Sequence, residues 1–275
     1  MRSSVLLVLK VLLLIFIGCE ADLKEAFFHP DVEKRVKESF ALAAPAPVPV
    51  GDTFEFAVFG DVHIGKAAGG YLEEFRRDVD SLGIEFFCVL GDITEHGTGA
   101  EYDSARNVLA AIAPFYPTIG NHDLYSASGW EDFKQTFGPA TYAIQIGTRL
   151  KLIFFDTAEG EVGKTQFNWL EDVLADTNTT KLVFTHFPIY DGTIPGPFRL
   201  AANSERAKLM SLLVRNQVYA YCCGHIHGWR QTTVDGVQHL IVGTMSRALD
   251  FGSPGYLLFL VRGDSISWRF VSFDR

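Results

Sequence analysis

Side chains that commonly bind metal ions occur in five short motifs, and each motif follows an apolar run. The motifs are Asp61-Val62-His63, Gly91-Asp92, Gly120-Asn121-His122-Asp123, Thr185-His186 and Gly224-His225-Ile226-His227. The apolar runs are typical of buried β-strands, whose ends gather at one edge of a sheet. Carboxylate, amide and imidazole groups are ligands that divalent transition metals accept. The sequence therefore predicts a metal site at a sheet edge, built from residues far apart in the chain.

The spacing within the motifs supports this prediction. One residue separates Asp61 from His63, and one separates His225 from His227. Because alternate residues of an extended chain point the same way, Asp61 and His63 can both reach one metal ion. Asn121 carries more weight than a lone Asp-x-His triplet, because asparagine is an uncommon ligand and here lies beside a histidine after an apolar strand.

The order of the predicted elements indicates the fold class. After Thr53, strands alternate with helices, for example a helix over Gly70–Leu82 and a strand over Ile84–Leu90. Later in the chain, Asp235-Gly236 joins two alternating runs as a hairpin. We therefore expect an α/β (α+β) fold of two packed mixed β-sheets sandwiched by helices, with the metal site at the C-terminal ends of the strands.

In this order and with these gaps, the motifs resemble those of the calcineurin-like metallophosphoesterases, over roughly residues 54–246. The resemblance implies a phosphoester hydrolase with two divalent metal ions. It assigns the first ion to Asp61, His63 and His227, the second ion to Asn121, His186 and His225, and the bridging position to Asp92. It also implies that His122 faces the leaving group as general acid, with Asp123 orienting its ring. Ligand sets of nitrogen and oxygen suit Mn, Fe, Zn or Co and leave the metal pair open.

Several positions bear on which branch of that family the chain resembles. Purple acid phosphatases have a tyrosine ligand three residues after the bridging aspartate, where this chain has Glu95. The stretch from Gly91 to Tyr102 instead resembles the cyclic-nucleotide and glycerophosphodiester phosphodiesterases, which predicts small phosphodiesters as substrates. Phe187 departs from that branch, which often has a second histidine after the His186 position. The alternatives are a phosphomonoesterase on the same scaffold and an inactive metal-binding surface lipoprotein.

Two loops beside the predicted site, residues 124–129 and 187–200, are candidates for substrate recognition, because loops on a rigid scaffold commonly determine specificity. In the second loop, Tyr190 or Phe198 could stack a base and Arg199 could bind a phosphate. The alternative is an ordinary surface loop with anchoring aromatic side chains. The formal net charge of −9 argues against nucleic acid as a partner.

The amino terminus carries a targeting signal. Residues 1–18 form a short apolar segment and are predicted to be a signal peptide. Gly18-Cys19 at its end resembles a bacterial lipobox, which implies lipidation of Cys19 and an exported, membrane-anchored lipoprotein of a bacterium. An ordinary signal peptide or an uncleaved anchor is the alternative. Residues 19–50 are predicted to be a spacer with a Pro/Ala-rich linker, unless its helix packs on the side of the domain, and residues 51–275 form the phosphoesterase domain.

The three other cysteines, Cys88, Cys222 and Cys223, lie in predicted strands. An odd number of cysteines does not form a disulfide framework, so we expect them to be buried as small apolar residues.

Overall fold

The computed structural model describes residues 31–66, 70–190, 198–247 and 252–274. The predicted signal peptide, Cys19 and the first part of the spacer lie outside these residues. Within the described part of the chain, no helix has the length and apolar character needed to cross a membrane.

The strands form two mixed sheets. Their bounds are β1 (Thr53–Phe59), β2 (Ile84–Leu90), β3 (Phe115–Thr118), β4 (Tyr142–Ile146), β5 (Leu150–Phe154), β6 (Thr180–Phe184), β7 (Ala220–Cys223), β8 (Arg230–Val234), β9 (Val237–Ile241), β10 (Gly255–Arg262) and β11 (Ser265–Ser272). One sheet has the order β11-β10-β1-β2-β3 and the other has the order β4-β5-β6-β7-β9-β8. Strands β1 to β3 are parallel, as are β5, β6, β7 and β9, whereas β10 is antiparallel to β1. This arrangement confirms the predicted fold class.

Helices cover the outer faces. Their bounds are α1 (Val32–Phe40), α2 (Leu72–Leu82), α3 (Gly99–Ala110), α4 (Gly129–Phe137), α5 (Lys164–Leu174) and α6 (Asn203–Arg215). Strand β2 has the predicted bounds, whereas α2 begins at Leu72 rather than at Gly70. A short 3-10 helix, His122–Leu124, was not predicted.

Side chains on alternate residues of the second sheet face two different cores. Leu152 and Phe154 of β5 belong to the core between the sheets, where the Phe154 ring lies 6.2 Å from that of Tyr116 on β3. Ile153, between them, packs in a second core with Leu170 of α5 and the leucines of α6. Because both faces of this sheet are buried, its register is fixed, and the strand ends that carry the motifs have fixed positions.

The parallel strands bring the five motifs together. Asp61 and Asp92 each lie two residues beyond β1 and β2, and His186 and His225 each lie two residues beyond β6 and β7. An isolated parallel bridge between Gly60 and Thr244 connects the chain just beyond β1 of one sheet to the chain just beyond β9 of the other. The carboxyl ends of both sheets therefore supply the candidate ligands, as the predicted topology requires.

The amino-terminal helix packs against the domain, which is the second of the two alternatives for this region. Asp31 caps α1 by accepting from the amide of Lys34 at 2.9 Å. Arg35 is completely buried, with its Nε 2.7 Å from the Asp156 carboxylate and its Nη1 2.8 Å from that of Glu159. Tyr116 then holds the Pro/Ala-rich segment, because its hydroxyl donates to the Ala46 carbonyl. The buried ion pair of Arg35 and Asp156 thus fixes α1 to the domain.

The cysteines are buried and free, as expected. Cys88, Cys222 and Cys223 have no exposed surface, and burial raises the pKa of each thiol above its usual value. These thiols therefore pack as apolar groups.

We predict that Arg35→Ala destabilises the protein by about 3–5 kcal/mol, because it leaves the buried carboxylate of Asp156 without its cation. Arg106→Ala is the matched control, because Arg106 pairs with Asp103 on the exposed surface of α3, and its loss should change stability little. Urea unfolding followed by circular dichroism compares the two variants with the wild type. Equal stability of the two variants would contradict the buried pair's role.

Candidate metal centre

The candidate ligands lie in turns with an unusual backbone conformation. Asp61, His63, Asp92, His225 and His227 have positive φ angles between 49° and 69°. Such angles are uncommon for residues other than glycine, and each costs free energy that the surrounding structure must offset. Among the described residues other than glycine, only Gln217 and Asp235 share this feature. The strain is therefore concentrated where the five motifs meet, which is typical of a functional site.

The first cluster contains Asp61, His63, Asp92 and His227. Their ligand atoms all lie within 4.8 Å of one another, and all four residues are buried. His227 Nε2 lies 3.3 Å from Asp61 Oδ1 and 3.4 Å from His63 Nε2. His63 Nε2 also lies 3.7 Å from Asp92 Oδ2. The structure thus brings together the three predicted ligands of the first ion and the predicted bridging carboxylate.

The second cluster contains Asp92, Asn121, His186 and His225. His186 Nε2 lies 3.2 Å from Asp92 Oδ2, 3.0 Å from Asn121 Oδ1 and 3.3 Å from His225 Nδ1. The ligand atoms of Asp92, His186 and His225 lie within 4.8 Å of one another. Asp92 therefore belongs to both clusters, in the position that the resemblance assigns to a bridging ligand.

The donor sets fit divalent cations. His186 Nδ1 donates to the Leu90 carbonyl at 2.8 Å, so its Nε2 lone pair can point into the cluster. There it meets a nitrogen of His225, just as His63 Nε2 meets His227 Nε2 in the first cluster. A divalent cation would accept a lone pair from each of these nitrogens. Nitrogen and oxygen ligands in these numbers suit Mn, Fe, Zn or Co.

The two buried aspartates carry the negative charge of the centre. Burial opposes their ionisation, but the nearby histidines outweigh it and hold the pKa of Asp92 and of Asp61 below its usual range. Conversely, burial disfavours a charged His186, whereas Asp92 and Asp61 raise its pKa to about 9. The two carboxylates thus favour positive charge at the position of His186.

Glycines allow the close approach of the motifs. A Cβ atom on Gly120 would overlap the backbone nitrogen and the Oδ1 of Asp92, and one on Gly224 would lie 2.6 Å from Asp61 Oδ2. Gly91 also has a φ of +84°, which larger residues rarely adopt. Gly120 and Gly224 therefore leave room for an aspartate, and Gly91 leaves room for Gly120 and His186.

A family model described as calcineurin-like phosphoesterase matches residues 54–229, more than half of the chain. The chain belongs to the calcineurin-like phosphoesterase family. Membership identifies it as a metal-dependent phosphoesterase, and its two clusters sharing Asp92 agree with the dinuclear centre of that family. No curated protein matches the sequence significantly.

Three of the solved structures with the same fold are described as different kinds of protein. A dimetal phosphatase from Danio rerio has a TM-score of 0.64 at 16% identity, over 82% of this chain and 97% of that one. Purple acid phosphatase PPD1 from yellow lupin has a TM-score of 0.65 at 17% identity, over 83% of this chain and 53% of that one. GAP50, described as the anchor in the inner membrane complex of Plasmodium, has a TM-score of 0.63 at 16% identity, over 81% of this chain and 85% of that one. At these identities the likeness shows the calcineurin-like fold.

His122 lies beside the centre without entering either of the two clusters that share Asp92. Its Nδ1 donates to the Glu95 carbonyl at 2.9 Å, which leaves Nε2 on the other side of the ring. Nε2 lies 3.3 Å from the hydroxyl of Tyr125, whose ring centroid is 4.3 Å from that of His122. The ring is 4.5 Å from that of His63, so it borders the first cluster.

The predicted contact between Asp123 and the His122 ring is wrong. The buried Asp123 carboxylate accepts instead from the amides of Gly120, Thr94 and Ile93 at 3.0, 2.9 and 3.3 Å. Because the 3-10 turn directs this carboxylate inward, Asp123 holds together the two turns that carry Asp92 and Asn121. Burial and the charge of Asp92 raise the pKa of Asp123 to about 6. The Glu95 carbonyl, rather than Asp123, orients His122.

The predicted substrate residues lie on the second loop, whose residues 191–197 are outside the described part. Tyr190 and Phe198 are exposed and Arg199 is half-buried. The Phe198 ring centroid lies 6.3 Å from that of His225, which places this ring beside the second cluster. Phe187 stacks on His225 at 3.8 Å and supports that ligand. Recognition of substrate by Tyr190, Phe198 and Arg199 stays a prediction.

Three residues beside the centre were not predicted to take part. Glu95 and Lys66 form an ion pair of 2.8 Å next to His63, and Tyr125 contacts both His122 and Asn121. Each follows a motif by two to four residues, so the signal was their short distance in sequence from predicted ligands. Single charged or aromatic residues at such distances are common, and the sequence alone does not show which residues they contact.

We predict that Gly120→Ala lowers the metal affinity of the protein by roughly 10–100-fold, because the added methyl group displaces Asp92 from both clusters. Gly99→Ala is the control, because its Cβ would meet nothing closer than 3.6 Å and alanine is favoured in a helix. Metal content after equilibrium dialysis is the measurement, with circular dichroism to confirm folding. Wild-type metal content in folded Gly120→Ala would show that metal binding does not depend on the close approach of Gly120 to Asp92.

Proposed function

We propose that this protein hydrolyses small phosphodiesters with a dinuclear centre of divalent metal ions. The observation that carries the proposal is the shared carboxylate of Asp92, with Oδ2 3.2 Å from His186 Nε2 in one cluster and 3.7 Å from His63 Nε2 in the other. Its Oδ2 faces both clusters, and a carboxylate oxygen has lone pairs for two ions, whereas an imidazole nitrogen has one. When bound, two such ions supply a nucleophile from water near neutral pH and stabilise charge on the phosphoryl oxygens.

The residues of the chain would divide the remaining work. In the proposed assignment, Asp61, His63 and His227 would hold the first ion, Asn121, His186 and His225 would hold the second, and Asp92 would serve both. His122 is the proposed general acid. Because its Nδ1 proton is donated to the Glu95 carbonyl, Nε2 is the nitrogen that would pass a proton to the leaving oxygen. Tyr125, at this nitrogen, would lie next to the leaving group.

The preference for diesters rests on the resemblance of residues 91–102 to the phosphodiesterase branch. A phosphomonoesterase is the second candidate, because two proteins with the same fold are described as phosphatases. A binding role without catalysis is the third, and the protein described as an anchor has this fold as well. The seven candidate ligands are all present here, which favours an active centre. The acidic net charge of −9 disfavours DNA or RNA as the phosphodiester.

We predict that the purified protein loaded with Mn²⁺ cleaves bis(p-nitrophenyl) phosphate faster than p-nitrophenyl phosphate. Chelation should abolish both activities, and added Mn²⁺ should restore them, because the nucleophile and charge stabilisation depend on the metals. Initial rates for both substrates provide the measurement, with folded Asp92→Ala as the inactive control. Faster cleavage of the monoester would establish the second candidate, and no turnover by metal-loaded protein would favour the third.

We predict that His122→Ala slows the hydrolysis of diesters with poor leaving groups by about 10²–10⁴-fold, because the departing alkoxide is no longer protonated. The effect should shrink for p-nitrophenolate, which leaves without a proton. Rates for aryl diesters of graded leaving-group pKa measure this trend, with metal content determined in parallel. Loss of metal from the variant would make His122 a ligand, and a uniform loss of rate would remove it as general acid.

We also propose that the protein is exported and anchored to a bacterial membrane through a lipid on Cys19, on the basis of the lipobox resemblance. The prediction is that Cys19→Ser moves the protein from the membrane fraction to the soluble exported fraction. Immunoblots of fractionated cells and metabolic labelling with a fatty acid measure this change. The exposed Ser128→Ala variant should behave as the wild type. Retention of the Cys19→Ser protein in the membrane would contradict the lipid anchor.

A further inference from the structure

Glu95 contacts three parts of the centre at once. Its Oε2 lies 2.7 Å from His63 Nδ1, and its Oε1 lies 2.8 Å from Lys66 Nζ. Its main-chain carbonyl accepts from His122 Nδ1 at 2.9 Å. The side chain is only 13% exposed, so these contacts are largely shielded from water. One residue therefore meets both a candidate ligand and the proposed general acid.

The side-chain contact determines which nitrogen of His63 can bind a metal. A carboxylate is an acceptor only, so the proton of neutral His63 lies on Nδ1, and the lone pair lies on Nε2. Nε2 is the atom that faces His227 and Asp92. An anionic acceptor also makes the ring a stronger ligand. His186, by comparison, has an uncharged acceptor, the Leu90 carbonyl.

Lys66 keeps the Glu95 carboxylate in this supporting position. His63, Glu95 and His122 have ligand atoms within 4.8 Å of one another, so an unpaired carboxylate here could itself attract a cation. Lys66 occupies Oε1, and Oε2 is occupied by His63. The backbone of Glu95 is fixed as well, because its amide donates to the Ile64 carbonyl at 2.9 Å, beside the first motif.

We propose that Glu95, held by Lys66, is the positioning residue of the first metal site, through the hydrogen bond of its carboxylate to His63 Nδ1. This inference rests on the proposed dinuclear function. Among the described residues, no carboxylate accepts from the outer ring nitrogen of a second-site histidine, so loss of the Glu95 side chain weakens one site and spares the other. The carbonyl contact to His122 belongs to the backbone and survives a change of side chain.

The test is a titration of the metal-free, full-length protein with Mn²⁺ by isothermal calorimetry. Glu95→Ala should lower the affinity of one site by about 10–100-fold and leave the other unchanged. Glu95→Gln keeps an oxygen that can accept from His63, so its affinity should lie between those of Glu95→Ala and the wild type. Lys66→Met should weaken the same site as Glu95→Ala, because the carboxylate loses its second partner.

Glu101→Ala provides the matched control, because the Glu101 carboxylate also pairs with a histidine, the exposed His96, at 3.0 Å. It should retain both affinities even if thermal stability falls, which separates positioning from a general effect on folding. Wild-type affinity at both sites of Glu95→Ala would overturn the inference. Equal loss in Glu95→Gln and Glu95→Ala would also overturn it, since that result indicates a direct ligand. Failure of the wild type to bind two ions would instead refute the proposed function.

Discussion

The structure depends on bringing buried carboxylates and imidazoles together at the edge of two sheets. Asp61 and Asp92 are buried, and nearby histidines and backbone amides keep both carboxylates ionised. Moving each charged group from water into the protein interior costs on the order of several kcal/mol. Of the histidines, His186 and His227 offset part of this charge, because the carboxylates raise their pKa. Divalent cations offset it more completely, which explains why the clusters have the composition of a metal site.

The backbone conformation of the candidate ligands allows them to meet at the edge of the two sheets. Five candidate ligands lie in turns with positive φ, at roughly 1–3 kcal/mol each. The cores on both faces of the second sheet fix the strand ends and can maintain these turns. Glycines before the ligands and the hydrogen bonds to Asp123 complete the arrangement. The folded domain thus positions the ligands, which is the usual basis of a selective site.

Much of this could be predicted from the sequence, because strands, hairpins and i, i+2 ligand pairs depend on local pattern. The side-chain partners could not. Asp123 follows His122 in sequence, but the 3-10 turn directs its carboxylate toward the amides of another turn. Glu95 meets His63 from a different motif, and no local pattern encodes that contact. The position of α1 depends on Arg35 reaching Asp156, 121 residues away, so the amphipathic pattern alone left two alternatives.

The most direct test of the account is the number and coupling of the metal ions in the purified protein. Elemental analysis and electron paramagnetic resonance of the Mn²⁺-loaded protein measure both. Because one carboxylate lies in both clusters, we expect two ions per chain about 3.5–4 Å apart, with the multiline spectrum of an exchange-coupled pair. A single ion per chain, or two ions without coupling, would contradict the bridging role of Asp92 and with it the dinuclear centre.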